Sequence, residues 1–135
     1  KMDVRYLRND LRFDLAPSGL ISSADHCPSG QISNHFSDIV HPFLEKYHSS
    51  IEQVDHLIFH PGGKKIVQTV EQLFGHLGKN INHTKEVLRQ YGNMSSATVL
   101  YVLAKFLADQ PKSGEQGLML SFGPGFTAQR VLLEW

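Results

Sequence analysis

The chain holds one cysteine, Cys27, in 135 residues. A lone thiol excludes an internal disulfide and any cysteine-based zinc cage, and it fits a reducing cytosol. An excess of one charge is also missing. Thirteen Lys and Arg balance thirteen Asp and Glu, so no net field draws the chain toward nucleic acid or an anionic membrane. No apolar run reaches the roughly 18 to 20 residues that span a bilayer, and no basic, apolar, small-residue leader opens the chain. Charged residues are few, 19% against roughly 25% in soluble domains, which hints at surface hidden from water. The first residues are Lys1-Met2 rather than an initiator methionine, which reads as residues missing before Lys1, from a processed leader or a longer protein.

What is present suits one globular α/β domain, of the roughly 100 to 150 residues at which compact domains cluster, with 41% hydrophobic residues. Alternating polar and apolar residues over 4–15, broken at Asn9-Asp10, predict a β-hairpin. Ala16 to Gly30 reads as a loop, with Ser29 able to cap the next helix. Ile32, Phe36, Ile39, Val40, Phe43, Leu44 and Tyr47 recur at helical spacing and predict a helix over about 31–50, kinked at Pro42. Val54 to His60 has the near-continuous apolar character of a strand covered on both faces. A helical stripe from Ile66 to Phe74 ends at Gly75, and a second helix is predicted from Asn82 or Thr84 to Tyr91. A third, with Asn93 as N-cap, runs to about Ala108 and is apolar nearly all round, so it is expected to be buried on more than one side. Leu118 to Phe122 and Ala128 to Trp135 predict two strands joined by Gly123-Pro124-Gly125.

Three short segments could carry chemistry. His60-Pro61-Gly62-Gly63 sets an imidazole at the carboxyl end of a buried strand and flexible backbone before a helix, the edge at which open α/β sheets bind ligands. Read from the residues alone, a strand-to-helix turn with a satisfied histidine explains it better. Gly92-Asn93-Met94-Ser95-Ser96 offers a carboxamide that could meet a carbonyl oxygen, yet Asn is among the best N-caps and needs no other purpose. Ser121-Phe122-Gly123-Pro124-Gly125-Phe126 could wall a pocket or be a turn. Lys64-Lys65 opposes a helix dipole and is better explained by contact with phosphate. The other seven histidines form no ligand pattern, so metal binding is not expected.

These motifs, with Val70-Glu71-Gln72-Leu73 and Tyr91-Gly92-Asn93-Met94-Ser95-Ser96-Ala97, resemble in order and spacing the C-terminal part of the chalcone synthase family, the type III polyketide synthases. The resemblance is strong from Val54 to Trp135 and weak over residues 1–50. It implies one thiolase-like half with a mixed sheet packed by helices, and a dimeric, cytoplasmic enzyme. It also implies decarboxylative condensation of malonyl-CoA with an acyl-CoA starter, using coenzyme A thioesters as substrates and no cofactor. Carried over residue by residue, it makes His60 and Asn93 the thioester-oxygen donors, puts Gly62, Gly63 and Lys65 along the pantetheine arm, and gives Ser121, Phe122, Gly123, Pro124 and Gly125 to the cyclisation pocket. Ser121 stands where the family usually has glycine. Cys27, in Asp25-His26-Cys27-Pro28, lacks the family's nucleophile context, so the resemblance implies a partner half that carries the nucleophilic cysteine. The rival expectation is a non-catalytic acyl-CoA binding or assembly module of the same fold.

Overall fold

The computed structural model of the chain describes residues 2–6, 12–16, 19–23, 28–123 and 127–135. In chain order the strands are β1 (Met2–Tyr6), β2 (Arg12–Ala16), β3 (Gly19–Ser23), β4 (His56–Phe59), β5 (Gln116–Gly123) and β6 (Thr127–Glu134). The helices are α1 (Pro28–Glu45), α2 (Lys64–Gly75), α3 (Asn82–Tyr91) and α4 (Ala97–Ala108). One mixed sheet has the order β1-β6-β5-β4, with β4 parallel to β5 and the other pairs antiparallel; β2 and β3 form a separate ribbon.

The hairpin expected over residues 4–15 does not form. Both strands exist, but β1 pairs with β6 (Met2 opposite Val131) and β2 pairs with β3 (Phe13 opposite Ser22), so part of the expected loop from Ala16 is a strand. Alternation reports a covered face and not the partner that covers it. Helix α1 starts at Pro28, earlier than expected, since proline's fixed φ suits a first helical position. It stops at Glu45 because His48 takes φ 54° and the amides of His48 and Ser49 bond back to Glu45 and Leu44, closing the helix.

Strand β4 meets the two-faced expectation and separates two apolar layers. Leu57 and Phe59 join a cluster with Ile39, Phe43 and Leu44 of α1 and Val70 and Phe74 of α2. Ile58 points into a second cluster with Val87 of α3 and Val99 and Val102 of α4. Arg130 of β6 is buried and ties α1 to the sheet, its Nη1 donating to the Ile39 carbonyl at 2.7 Å while the guanidinium lies over Phe43. At the start of β4, the His56 imidazole meets Glu115 at 2.8 Å, and His83 meets Asp109 at 2.7 Å. Both rings stand edge-on to Phe106, fastening the end of α4.

Helix α4 departs from its expectation. It buries Thr98, Val99 and Val102 but leaves Leu100 58%, Tyr101 47% and Leu107 49% exposed, because the described residues cover one side only.

Candidate active site

The carboxyl end of β4 leads through His60-Pro61-Gly62-Gly63 into α2, and the end of α3 leads through Gly92 to Ser96 into α4. Parallel pairing continues past the strand, with the His60 amide donating to the Leu120 carbonyl at 2.9 Å. His60 is therefore held beside the stretch of β5 that carries Ser121 and Phe122. The Phe122 ring packs edge-on to Phe59 with centroids 6.0 Å apart. Ser121 is half-buried, opposite Gln129 of β6. Gly123 continues the strand, while Pro124 and Gly125 of the expected pocket loop, and Cys27, lie outside the described residues.

Asn93 does not cap α4, which begins at Ala97 after Ser96. Its Oδ1 instead accepts the Ser95 amide at 2.9 Å, and its Nδ2 donates to the Gly62 carbonyl at 3.0 Å, 31 residues away. The backbone needed for this is unusual: Gly92 takes φ 71° and ψ −163°, open only to glycine, and Ser95 takes φ 60°. With one end of the carboxamide occupied and one N–H spent, a single N–H is left to offer. The cap reading fails because the loop after α3 turns the side chain across to the neighbouring loop.

Gly62 also leaves open the space beside the imidazole. A methyl group in place of its hydrogen would lie 3.8 Å from His60 Cδ2, 3.9 Å from Nε2 and 3.2 Å from Ile66 Cδ1. One glycine thus links the two motifs, its α-carbon facing the ring and its carbonyl holding the amide. Gly63 differs: its backbone is extended, and a methyl there would meet no described atom within 4 Å. Internal packing does not require glycine at 63, whereas close approach of a ligand backbone would. Lys65 is exposed in the first turn of α2.

His60 is 8% exposed, and desolvation by burial pushes its pKa below the ordinary histidine value. Its Nδ1 is buried with no hydrogen-bond partner among the described residues. An unpaired acceptor is tolerated better than an unpaired N–H, so the proton belongs on Nε2, the nitrogen beside Gly62. The result is a neutral imidazole with one donor.

Two supports were missed by sequence reasoning. Thr84, fully buried, donates to the Phe59 carbonyl at 2.8 Å and holds the backbone just before His60. Thr98, also buried, accepts the Met94 amide at 2.7 Å and fixes the loop that carries Asn93. For Thr98 the available signal was a hydroxyl in an otherwise apolar helical run, whereas Thr84 lies in a mostly polar stretch that carries no such signal. Among the described residues, no group of three or more His, Cys, Asp or Glu is placed to hold a metal, and no helix is long and apolar enough to cross a membrane.

Comparison with known proteins identifies a family and a fold. Residues 13–135 match the family model described as chalcone and stilbene synthases, C-terminal domain. A Bacillus subtilis (strain 168) protein with the provisional name chalcone synthase is 35% identical over 94 residues, 69% of this chain and 26% of that protein. The 3,5-dihydroxyphenylacetyl-CoA synthase of Amycolatopsis orientalis is 35% identical over 83 residues, 61% of this chain and 22% of that one. The C-terminal type III polyketide synthase domain of Steely1, a type I/III hybrid from Dictyostelium, superposes with a TM-score of 0.78 at 25% identity, over 99% of this chain and 39% of that one. The same fold, at 23% identity and a TM-score of 0.82, occurs in PKS-I of the brown alga Ectocarpus siliculosus, over 99% of this chain and 38% of that one. The chain spans about a quarter of the length of the curated relatives it matches. With residues 13–135, nearly the whole chain, matched by the family model, the chain belongs to the chalcone and stilbene synthase family, through that family's C-terminal domain.

Proposed function

We propose that this chain supplies the thioester-binding donors of a type III polyketide synthase, which condenses a malonyl unit with an acyl-CoA starter and loses carbon dioxide. The observation that carries the reading is the Asn93 to Gly62 hydrogen bond beside His60, which gathers two side-chain donors at the carboxyl end of a parallel strand. Loss of carbon dioxide breaks the bond between the carboxylate and the α-carbon, and the electron pair becomes an enolate. Its negative oxygen needs donors already in place, each worth about 3 to 4 kcal/mol. The Nε2–H of a neutral His60 and the remaining N–H of Asn93 fill that role without acting as acids. The relative named 3,5-dihydroxyphenylacetyl-CoA synthase points to the same coenzyme A chemistry.

The nucleophilic cysteine comes from a partner half that also covers the exposed side of α4, and the complete unit is a cytoplasmic homodimer. Gly62, Gly63 and Lys65 follow the pantetheine arm, and Ser121 to Gly125 shape the product pocket. Mixing the chain with a cysteine-bearing N-terminal half and labelled malonyl-CoA should release carbon dioxide. His60→Ala and Asn93→Ala should each slow release about 100- to 1,000-fold. Undiminished release by His60→Ala would dismiss the assignment, and coenzyme A binding without any release would instead favour a silent acyl-CoA module.

A further inference from the structure

Side chains alternate across a sheet, and the two apolar layers show which way each one points. Leu118, Leu120 and Ala128 belong to the layer of α1 and α2, whereas Ile58, Met119 and Leu133 belong to the layer of α3 and α4. The pairing register sets Ile58 beside Met119 and Met119 beside Val131, an apolar row across β4, β5 and β6 on the α4 side. Two residues nearer the carboxyl end of β4 the row turns polar. The His60 amide donates to the Leu120 carbonyl at 2.9 Å, which places His60 opposite Ser121, and Ser121 pairs in turn with Gln129. By parity all three face the α4 side. The row steps outward from His60, buried, through Ser121, half-buried, to Gln129, exposed. Neighbouring strands lie about 4.8 Å apart, so Ser121 stands one strand away from the active-site imidazole. Among the described residues no hydrogen bond engages the Ser121 hydroxyl, whereas the hydroxyls of Thr84 and Thr98 are both bonded to backbone. Folding therefore leaves the Ser121 hydroxyl available to a ligand.

We propose that Ser121 is a specificity-determining residue whose hydroxyl meets the β-keto oxygen of a β-ketoacyl thioester, while His60 and Asn93 hold the thioester oxygen. This role rests on the thioester reading of the active site. A β-ketoacyl thioester carries two carbonyl oxygens with one carbon between their carbonyl carbons, which suits donors on adjacent strands of one sheet face. A saturated acyl chain offers no acceptor there and leaves the hydroxyl desolvated without a partner, so the site favours the keto compound.

The test is a calorimetric titration of the full chain with acetoacetyl-CoA and with butyryl-CoA, which match in chain length and differ at the keto oxygen. The native chain should bind acetoacetyl-CoA about three- to tenfold more tightly, the range a single neutral hydrogen bond supplies. Ser121→Ala should bind the two alike, and Ser121→Thr, which restores a hydroxyl, should recover the preference. Ser121 is half-buried and alanine is smaller, so the variant should fold, as its circular dichroism spectrum would verify. Equal affinity of the native chain for both thioesters, or a preference that Ser121→Ala retains, would overturn the role of Ser121. If His60→Ala still weakened both ligands, the thioester reading would stand. Binding of neither thioester by the native chain would overturn both.

Discussion

At the scale of single residues, His60 is the informative group, because its burial has a consequence in pH. Its folded pKa lies below the unfolded value of about 6.5, so as pH falls the unfolded chain takes the proton first. His60 therefore costs no stability above about pH 6.5 and progressively more below it, until the folded site itself protonates. The native chain should lose stability between pH 7 and 5.5 relative to His60→Gln, measured by denaturant unfolding across pH; parallel curves would contradict the buried neutral imidazole. Nitrogen-15 NMR should place the proton on Nε2. Glu115, held low chiefly by its hydrogen bond from His56, and Glu86, held low chiefly by Lys105, act in a separate window, losing their contribution only below the ordinary carboxylate range. The sequence singled out His60 and Asn93, but not that Asn93 would forgo its cap to reach Gly62, since that contact spans 31 residues.

At the scale of elements, β5 shows how one missing side chain fixes a neighbour. Gly117 lies opposite Leu133, and a methyl group there would come within 2.5 Å of Trp135 Cη2 and 2.7 Å of Cζ3. Gly117→Ala should displace the indole and cost about 1 to 3 kcal/mol, as overpacking usually does. Trp135 is the only tryptophan, so thermal unfolding and a shift in its fluorescence would read the change directly. Unaltered emission with full stability would refute the contact. Most helices and buried strands were legible because their periods of 3.6 and 2 are written locally. Strand pairing was not: the residues of β1 carry no mark naming β6, more than a hundred positions away, as partner.

At the scale of the molecule, the exposed side of α4 is the dominant surface feature. Leu100, Tyr101 and Leu107 are all about half exposed, and Tyr91 packs against Tyr101 at a tilt of 52°, with centroids 5.3 Å apart. Contiguous apolar surface of this kind seeks cover. By itself the chain should self-associate at micromolar concentration, and Leu100→Lys/Leu107→Lys should shift sedimentation toward monomer with the circular dichroism spectrum unchanged. A native chain that sediments as a clean monomer would argue against an unsatisfied interface. Local residue order determined the two-faced strand β4, the stripes of α2 and α3 and the glycines at the site, since each answers to a neighbour within a few positions. Only the tertiary structure decided that Asn93 reaches Gly62, that Ser121 and Gln129 fall into one row with His60 and that α4 keeps one side uncovered. Those depend on which distant segments pack together, and burial is a property of that packing, not of composition.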